Sequence, residues 1–164
     1  MTTFSVPTLQ EIEQDWTEFT GGPPVMGALG SYMPGDVEAL AIDAAERGAA
    51  MMTWAIRDGV AELVSIHSSP PGRGLGRQLL LEFEERVRAA GARRIVVITT
   101  NDNVPALRFY LREGYRLVRV HLDAMDRVRD VKPHVPAAGQ GGMPLQDQWE
   151  LEKVFAEFTP EVDQ

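Results

Sequence analysis

Hydrophobic positions along this chain change period several times, and the changes predict a protein of mixed helices and strands. Leu9, Ile12, Trp16 and Phe19 recur at helical spacing, and Gly21-Gly22-Pro23-Pro24 ends the helix they imply. Residues 25–35 hold no clear period and read as a loop or a short helical turn. Three strands are then predicted in a meander over residues 37–42, 50–56 and 60–67. Asp58-Gly59 forms the turn between the last two. In the third strand Glu62, Val64 and Ile66 alternate with Ala61, Leu63 and Ser65. Both faces are partly apolar, as expected of a central strand covered on both sides.

Past the meander, Leu75, Leu79, Leu80, Phe83, Val87 and Ala90 follow an amphipathic helical period. Gly91 ends that helix, and Arg86 and Arg88 sit near the negative end of its dipole. Residues 95–99 (IVVIT) form a buried type of strand, so residues 60–99 read as strand–loop–helix–strand and predict a parallel pair. Asn103 or Asp102 caps the next helix, Pro105 lies in its first turn and Gly114 ends it. A strand over residues 115–122, a short helix over 124–131, a Pro- and Gly-rich excursion to residue 147 and a last strand with Trp149, Leu151 and Phe155 complete the pattern. The expected organisation is one domain over residues 1–164, with its core at about 37–157 and a loose tail over 158–164.

Composition narrows the function classes. With no cysteine, a disulfide framework, a thiolate metal site and a cysteine nucleophile are all excluded. No apolar run is long enough to span a bilayer and the N-terminus lacks the layout of a signal peptide, so a cytoplasmic location with no membrane partner is expected. The net charge of -8 argues against nucleic acid as a partner. Its distribution is uneven: residues 1–50 carry eight acids and one base, whereas residues 73–129 carry twelve bases and seven acids. One region suits a cationic ligand and the other an anionic one. His121 and His134 have no carboxylate at ligand spacing, and no metal is expected.

The densest chemistry lies in Pro71-Gly72-Arg73-Gly74-Leu75-Gly76, followed by Arg77. The glycine spacing is neither the dinucleotide fingerprint G-x-G-x-x-G nor a Walker loop. Glycines nevertheless let backbone N–H groups converge and a ligand approach closely. The helix starting near Leu75 adds its unsatisfied N–H groups, and Arg73 and Arg77 add charge, together making a site for a diphosphate. A tight strand-to-helix turn with incidental arginines is the plain alternative.

A second motif follows: Asn103-Val104-Pro105-Ala106-Leu107-Arg108-Phe109-Tyr110-Leu111-Arg112-Glu113-Gly114-Tyr115. The two motifs, in this order and at this distance, resemble the GNAT superfamily of acetyl-CoA-dependent N-acetyltransferases over residues 37–155. The resemblance implies an α/β fold of the GNAT acyltransferase kind, a mixed sheet with splayed parallel strands flanked by helices. It also implies acetyl-CoA as cofactor. Its contacts would come from Ser65, Ile66 and His67 along the third strand, from Gly72, Arg73, Gly74, Leu75, Gly76 and Arg77 in the glycine loop, and from Asn103, Ala106 and Tyr110. Pro71 departs from the family's Arg or Gln and removes one backbone donor.

The reaction so implied is direct attack of a neutral amine on the thioester. Tyr110 would protonate the departing thiolate, and a backbone N–H would stabilise the oxyanion. Glu62 is the first candidate for the general base and His67 the second. The acidic first third points to a cationic acceptor, a small amine or a lysine side chain. Two other readings stand beside this one: a non-catalytic acyl-CoA-binding module, and a partner-binding domain whose residues 123–147 and last strand mediate a homodimer.

Overall fold

In the computed structural model, which describes residues 2–158, a two-residue strand β1 (Phe4–Ser5) leads into helix α1 (Leu9–Phe19). Thr8 accepts from the Glu11 N–H while Glu11 reaches back to the Thr8 N–H, a reciprocal cap that fixes where α1 begins. Only half of the apolar stripe on α1 is buried: Ile12 and Trp16 are enclosed, whereas Leu9 and Phe19 are exposed. Residues 25–35 are more ordered than their sequence suggests. They form the small hairpin β2 (Val25–Met26) and β3 (Ser31–Tyr32), then a 3-10 turn at Pro34–Asp36.

The meander follows with ends shifted by one or two residues: β4 (Glu38–Asp43), β5 (Ala49–Arg57) and β6 (Val60–Ser69). The Asp58-Gly59 turn closes as expected, with both residues at positive φ. β1, β4, β5 and β6 lie side by side in that order, and β4–β5 and β5–β6 pair antiparallel.

One feature of β6 was not expected. The register runs Thr53↔Ser65 but Trp54↔Leu63, so Val64 is an extra residue, a β-bulge. In a regular strand, residues three apart point to opposite faces. The bulge instead brings Glu62 and Ser65 onto the same face. Glu62 meets the loop of the β2–β3 hairpin there, and Ser65 meets Trp16. A small core of Ile12, Trp16, Tyr32, Ala39 and Ala55, with Val64 packed against it, fills the same side.

Helix α2 (Leu75–Ala89) packs its buried stripe of Leu75, Leu79, Leu80, Phe83 and Val87 against the strands, with the Phe83 ring 5.4 Å from that of Trp54. These elements make up the first of two compact units, Met1–Ile95.

The second unit, Val96–Gln164, holds most of β7 (Arg94–Thr100), then α3 (Val104–Arg112), β8 (Arg116–His121), α4 (Ala124–Val131) and β9 (Gln148–Val154). Its strand order is β7-β9-β8, so the last strand lies between the two that precede it. The Pro- and Gly-rich excursion is tied down by Asp102, whose carboxylate accepts from Gln140 N at 2.9 Å and Thr100 Oγ1 at 2.5 Å. The tail expected to be loose lies, past Phe158, outside the described residues. Among the described residues no helix is long and apolar enough to cross a membrane, and no group of three potential ligands could hold a metal ion.

Phe83→Ala should cost about 3–5 kcal/mol of unfolding free energy by urea denaturation. Leu81→Ala, on the exposed side of the same helix, should stay within about 1 kcal/mol. Equal losses at the two positions would contradict the packing described.

Candidate functional site

The glycine loop is built on left-handed backbone. Gly72 and Gly74 take left-handed φ of 78° and 76°, a region that side chains with a Cβ enter at a cost. A Cβ at Gly72 would meet nothing within 4 Å, and one at Gly74 only the Arg47 guanidinium at 3.9 Å. The backbone here is therefore open rather than packed. Gly74 is also the N-cap residue of α2, and no side chain caps the helix. The N-terminus of this fifteen-residue helix, the positive end of its dipole, therefore has no N-cap side chain.

Charge is supplied from an unexpected place. Arg47, in a 3-10 turn before β5, donates from Nη2 to the Arg73 carbonyl at 2.9 Å, which brings its guanidinium to the loop. The only basic residue among the first fifty is thus drawn to this anion-friendly corner. A diphosphate fits these groups; Leu75 is fully buried beneath them and serves as the packing anchor of α2.

Along β6 the structure separates the two candidate bases. Glu62 is 1% exposed, and its carboxylate accepts from Ala28 N at 2.6 Å and from Leu29 N at 3.3 Å. A Cβ on Gly27 would fall 2.0 Å from Glu62 Oε1, so glycine here lets the hairpin loop close over the acid with the carboxylate where it is. Burial raises the Glu62 pKa above the ordinary carboxylate value, against the lowering effect of Tyr32, the two backbone donors and Arg57. Tyr32 is fully buried, and its hydroxyl faces this carboxyl without a well-formed hydrogen bond. Burial first, and the neighbouring negative charge second, push its pKa well up. Arg57 lies over the Tyr32 ring at 4.4 Å and donates to the Leu29 carbonyl at 3.0 Å.

His67, at the far end of β6, is placed differently. Its Nδ1 lies 3.0 Å from Asp15 Oδ2 of α1, and its ring stacks on Phe19 with centroids 4.5 Å apart and planes 16° off parallel. Phe19 thus packs on an imidazole rather than in the core. His67 and Asp15 line an open cavity of about 480 Å³ that Glu11, Glu18 and Asp43 also border, with no Lys or Arg on its walls among the described residues. Ser65 spends its side chain on structure: its Oγ accepts from Trp16 Nε1 at 3.0 Å and lies 2.6 Å from Thr53 Oγ1. Ile66 pairs with Met52 in the ladder.

In the second unit, Asn103 is the N-cap of α3, with Oδ1 accepting from Ala106 N at 3.2 Å. Tyr110 is buried on that helix, edge-on to Phe109 and 5.5 Å from the Tyr115 ring, and burial raises its phenol. Each group of candidates is thus assembled within its own unit: Glu62, Ser65, Ile66, His67 and Gly72 to Arg77 in the first, Asn103, Ala106 and Tyr110 in the second. Asp15, Phe19 and Arg47 were not singled out from sequence, because nothing in a linear pattern pairs a helix acid with a histidine 52 residues away.

The Acetyltransferase (GNAT) family profile matches residues 24–115. The uncharacterized protein YxbD of Bacillus subtilis is 35% identical over 103 residues, which is 63% of this chain and 65% of that protein. This chain thus aligns with slightly less than two thirds of that relative. An IAA acetyltransferase from Bacillus cereus shares the fold with a TM-score of 0.73 at 14% identity, over 94% of this chain and all of the other. A Bacillus subtilis acetyltransferase solved in complex with CoA does so at 0.68 and 17%, over 94% and 99%. Fold and class agree with the sequence reading: α/β, with helices flanking a mixed, mostly antiparallel sheet.

A pH test follows from Glu62. Its pKa is raised in the fold, so the native state binds a proton that the unfolded chain has already released. Stability should therefore fall as pH rises out of the ordinary carboxylate range and Glu62 ionises in place. Glu62→Gln should flatten that part of the curve in chemical denaturation across pH, and an unchanged slope would contradict the assignment.

Proposed function

Because this chain belongs to the acetyltransferase (GNAT) family, we propose that it transfers the acetyl group of acetyl-CoA to a primary amine by direct attack. The observation that carries the reading is the open glycine turn at the head of α2: left-handed at Gly72 and Gly74, uncapped by any side chain, and joined by Arg47. Such a turn offers convergent N–H donors to the diphosphate of CoA. Gly76 and Arg77 continue the donor set into the helix, and Arg73 presents its side chain beside it.

When bound, acetyl-CoA supplies an acetyl thioester as electrophile. The remaining tasks fall to the chain's own groups. The backbone of Ser65, Ile66 and His67 on β6 is assigned to the pantetheine arm. Asn103 and Ala106 are assigned to cofactor contacts on the strength of their motif. Tyr110 is assigned the proton for the leaving sulfur: its phenol carries that proton at neutral pH, and the rise caused by burial makes it a weaker acid than a free phenol.

For the proton acceptor the two candidates are unequal. Glu62 is sealed beneath the β2–β3 loop with its carboxylate engaged, a position that favours holding the hairpin. His67 lines the open cavity and keeps Nε2 without a hydrogen bond among the described residues. The carboxylates around that cavity favour a cationic acceptor, a small polyamine or a lysine side chain.

Calorimetry should give micromolar binding of acetyl-CoA to the wild-type chain. Gly74→Asp, which sets a carboxylate where the diphosphate belongs, should weaken it by more than about tenfold, or about 1.4 kcal/mol. No binding to the wild type would overturn the cofactor assignment. In a thiol-release assay, diamines and lysine peptides should outrun uncharged and acidic amines at low salt, and the advantage should shrink as ionic strength rises. Faster turnover of acidic amines would contradict the cationic acceptor.

A further inference from the structure

The contact between Asp15 and His67 has a geometry that a purely structural role does not require. Asp15 projects from the buried-face turn of α1 that also carries Trp16, and its Oδ2 reaches His67 Nδ1 at 3.0 Å. The Asp15 and His67 side chains keep 10% and 20% of their exposure, so the pair is shielded without being sealed. Phe19, one turn further along α1, stacks on the imidazole and holds its plane. Three constraints therefore act on one ring: the strand that carries it, the aromatic face beside it and the carboxylate on Nδ1. Nε2 has no hydrogen-bond partner among the described residues, and the side chain lines a cavity large enough for a small amine.

We propose that Asp15 is a positioning residue for proton transfer: it holds the proton on Nδ1 of His67, so that Nε2 is the basic nitrogen presented to the acceptor amine. The proposal rests on the acetyl-transfer reading and deepens it. A carboxylate on Nδ1–H fixes one tautomer and stabilises the imidazolium that forms when Nε2 is protonated. The balance is simple. The N–H bond of the attacking amine breaks toward Nε2 as its nitrogen bonds the acyl carbon, and the electron pair of the C–S bond leaves with sulfur. No oxidant or reductant is involved, and Asp15 keeps its charge throughout.

The surroundings of the ring are acidic. Facing His67 in the same cavity are the carboxylates Glu11 and Glu18 from α1 and Asp43 from β4, while β5 contributes only Ala49, Ala50 and Met51. Among the described residues no Lys or Arg lines these walls, and Asp15 is the only charged group within hydrogen-bonding distance of the ring. Removing its charge takes away the group that stabilises the imidazolium formed as Nε2 accepts the proton.

Two readouts test this together. The first is the NMR titration of the His67 ring in the wild type and in Asp15→Asn. The second is the pH profile of kcat for the same proteins and for His67→Gln. In the wild type the acid limb of kcat should coincide with the His67 midpoint. In Asp15→Asn limb and midpoint should stay together, and the plateau kcat should fall by about tenfold or more with KM changed less. His67→Gln should lose the limb altogether, with kcat down by about a hundredfold.

A limb that stays in place while the His67 resonance moves would overturn the proposal, as would His67→Gln retaining wild-type kcat. If Asp15→Asn failed to fold, the wild-type comparison would still decide, because a limb and a midpoint that disagree exclude His67 as the base. If the wild type acetylated no amine while the His67 midpoint still moved in Asp15→Asn, the acetyl-transfer reading would fail and the proton-acceptor role with it. The Asp15–His67 contact would then stand as architecture alone.

Discussion

A buried chain of three polar groups determines how the first unit is put together. Trp16 Nε1 donates to Ser65 Oγ, and Ser65 Oγ in turn lies against Thr53 Oγ1, with all three residues almost wholly enclosed. Polar atoms removed from water must find partners, so this chain admits few alternatives. It locks α1 to the bulged segment of β6 at one register. Asp15 is then carried to His67, and the hairpin loop to Glu62. Without the bulge at Val64 the contacts of Glu62 and Ser65 would lie on opposite faces of the strand, and this arrangement would not form.

The same constraint explains how one strand serves two purposes. At its start, β6 places an acid under a loop whose Gly27 leaves room for the carboxylate. At its end it delivers a histidine to an open, acid-lined cavity. Immediately beyond, the chain turns through left-handed glycines into α2, whose N-cap residue has no side chain to cap it. The acid-lined cavity and the glycine turn therefore lie close together in sequence, at the end of β6 and immediately after it, and Arg47 is tied to the turn by its bond to the Arg73 carbonyl.

Much of this was legible in the residues. Periodicity located the meander, the Asp58-Gly59 turn, α2 and α3, because each is a local pattern with its own turn or cap. The glycine loop was legible for the same reason, and its two-motif context named the family. What could not be read was non-local. Strict alternation put Glu62 and Ser65 on opposite faces, since nothing in VAELVSIH marks Val64 as the extra residue. The two-residue strands at Phe4–Ser5, Val25–Met26 and Ser31–Tyr32 carry no period at all. Phe19 fitted the apolar stripe of α1, yet it stacks on His67, because the ring offered a flat partner where the core had ended.

The central claim is acetyl transfer to an amine without an acetylated enzyme. The most direct measurement is a single-turnover experiment with isotopically labelled acetyl-CoA and a diamine. It follows released thiol, labelled amide and the intact mass of the protein in the same samples. The account predicts one amide for each thiol and a protein mass that never gains an acetyl group. Thiol release without amide, or a labelled acetyl group on the protein that precedes the amide, would contradict it.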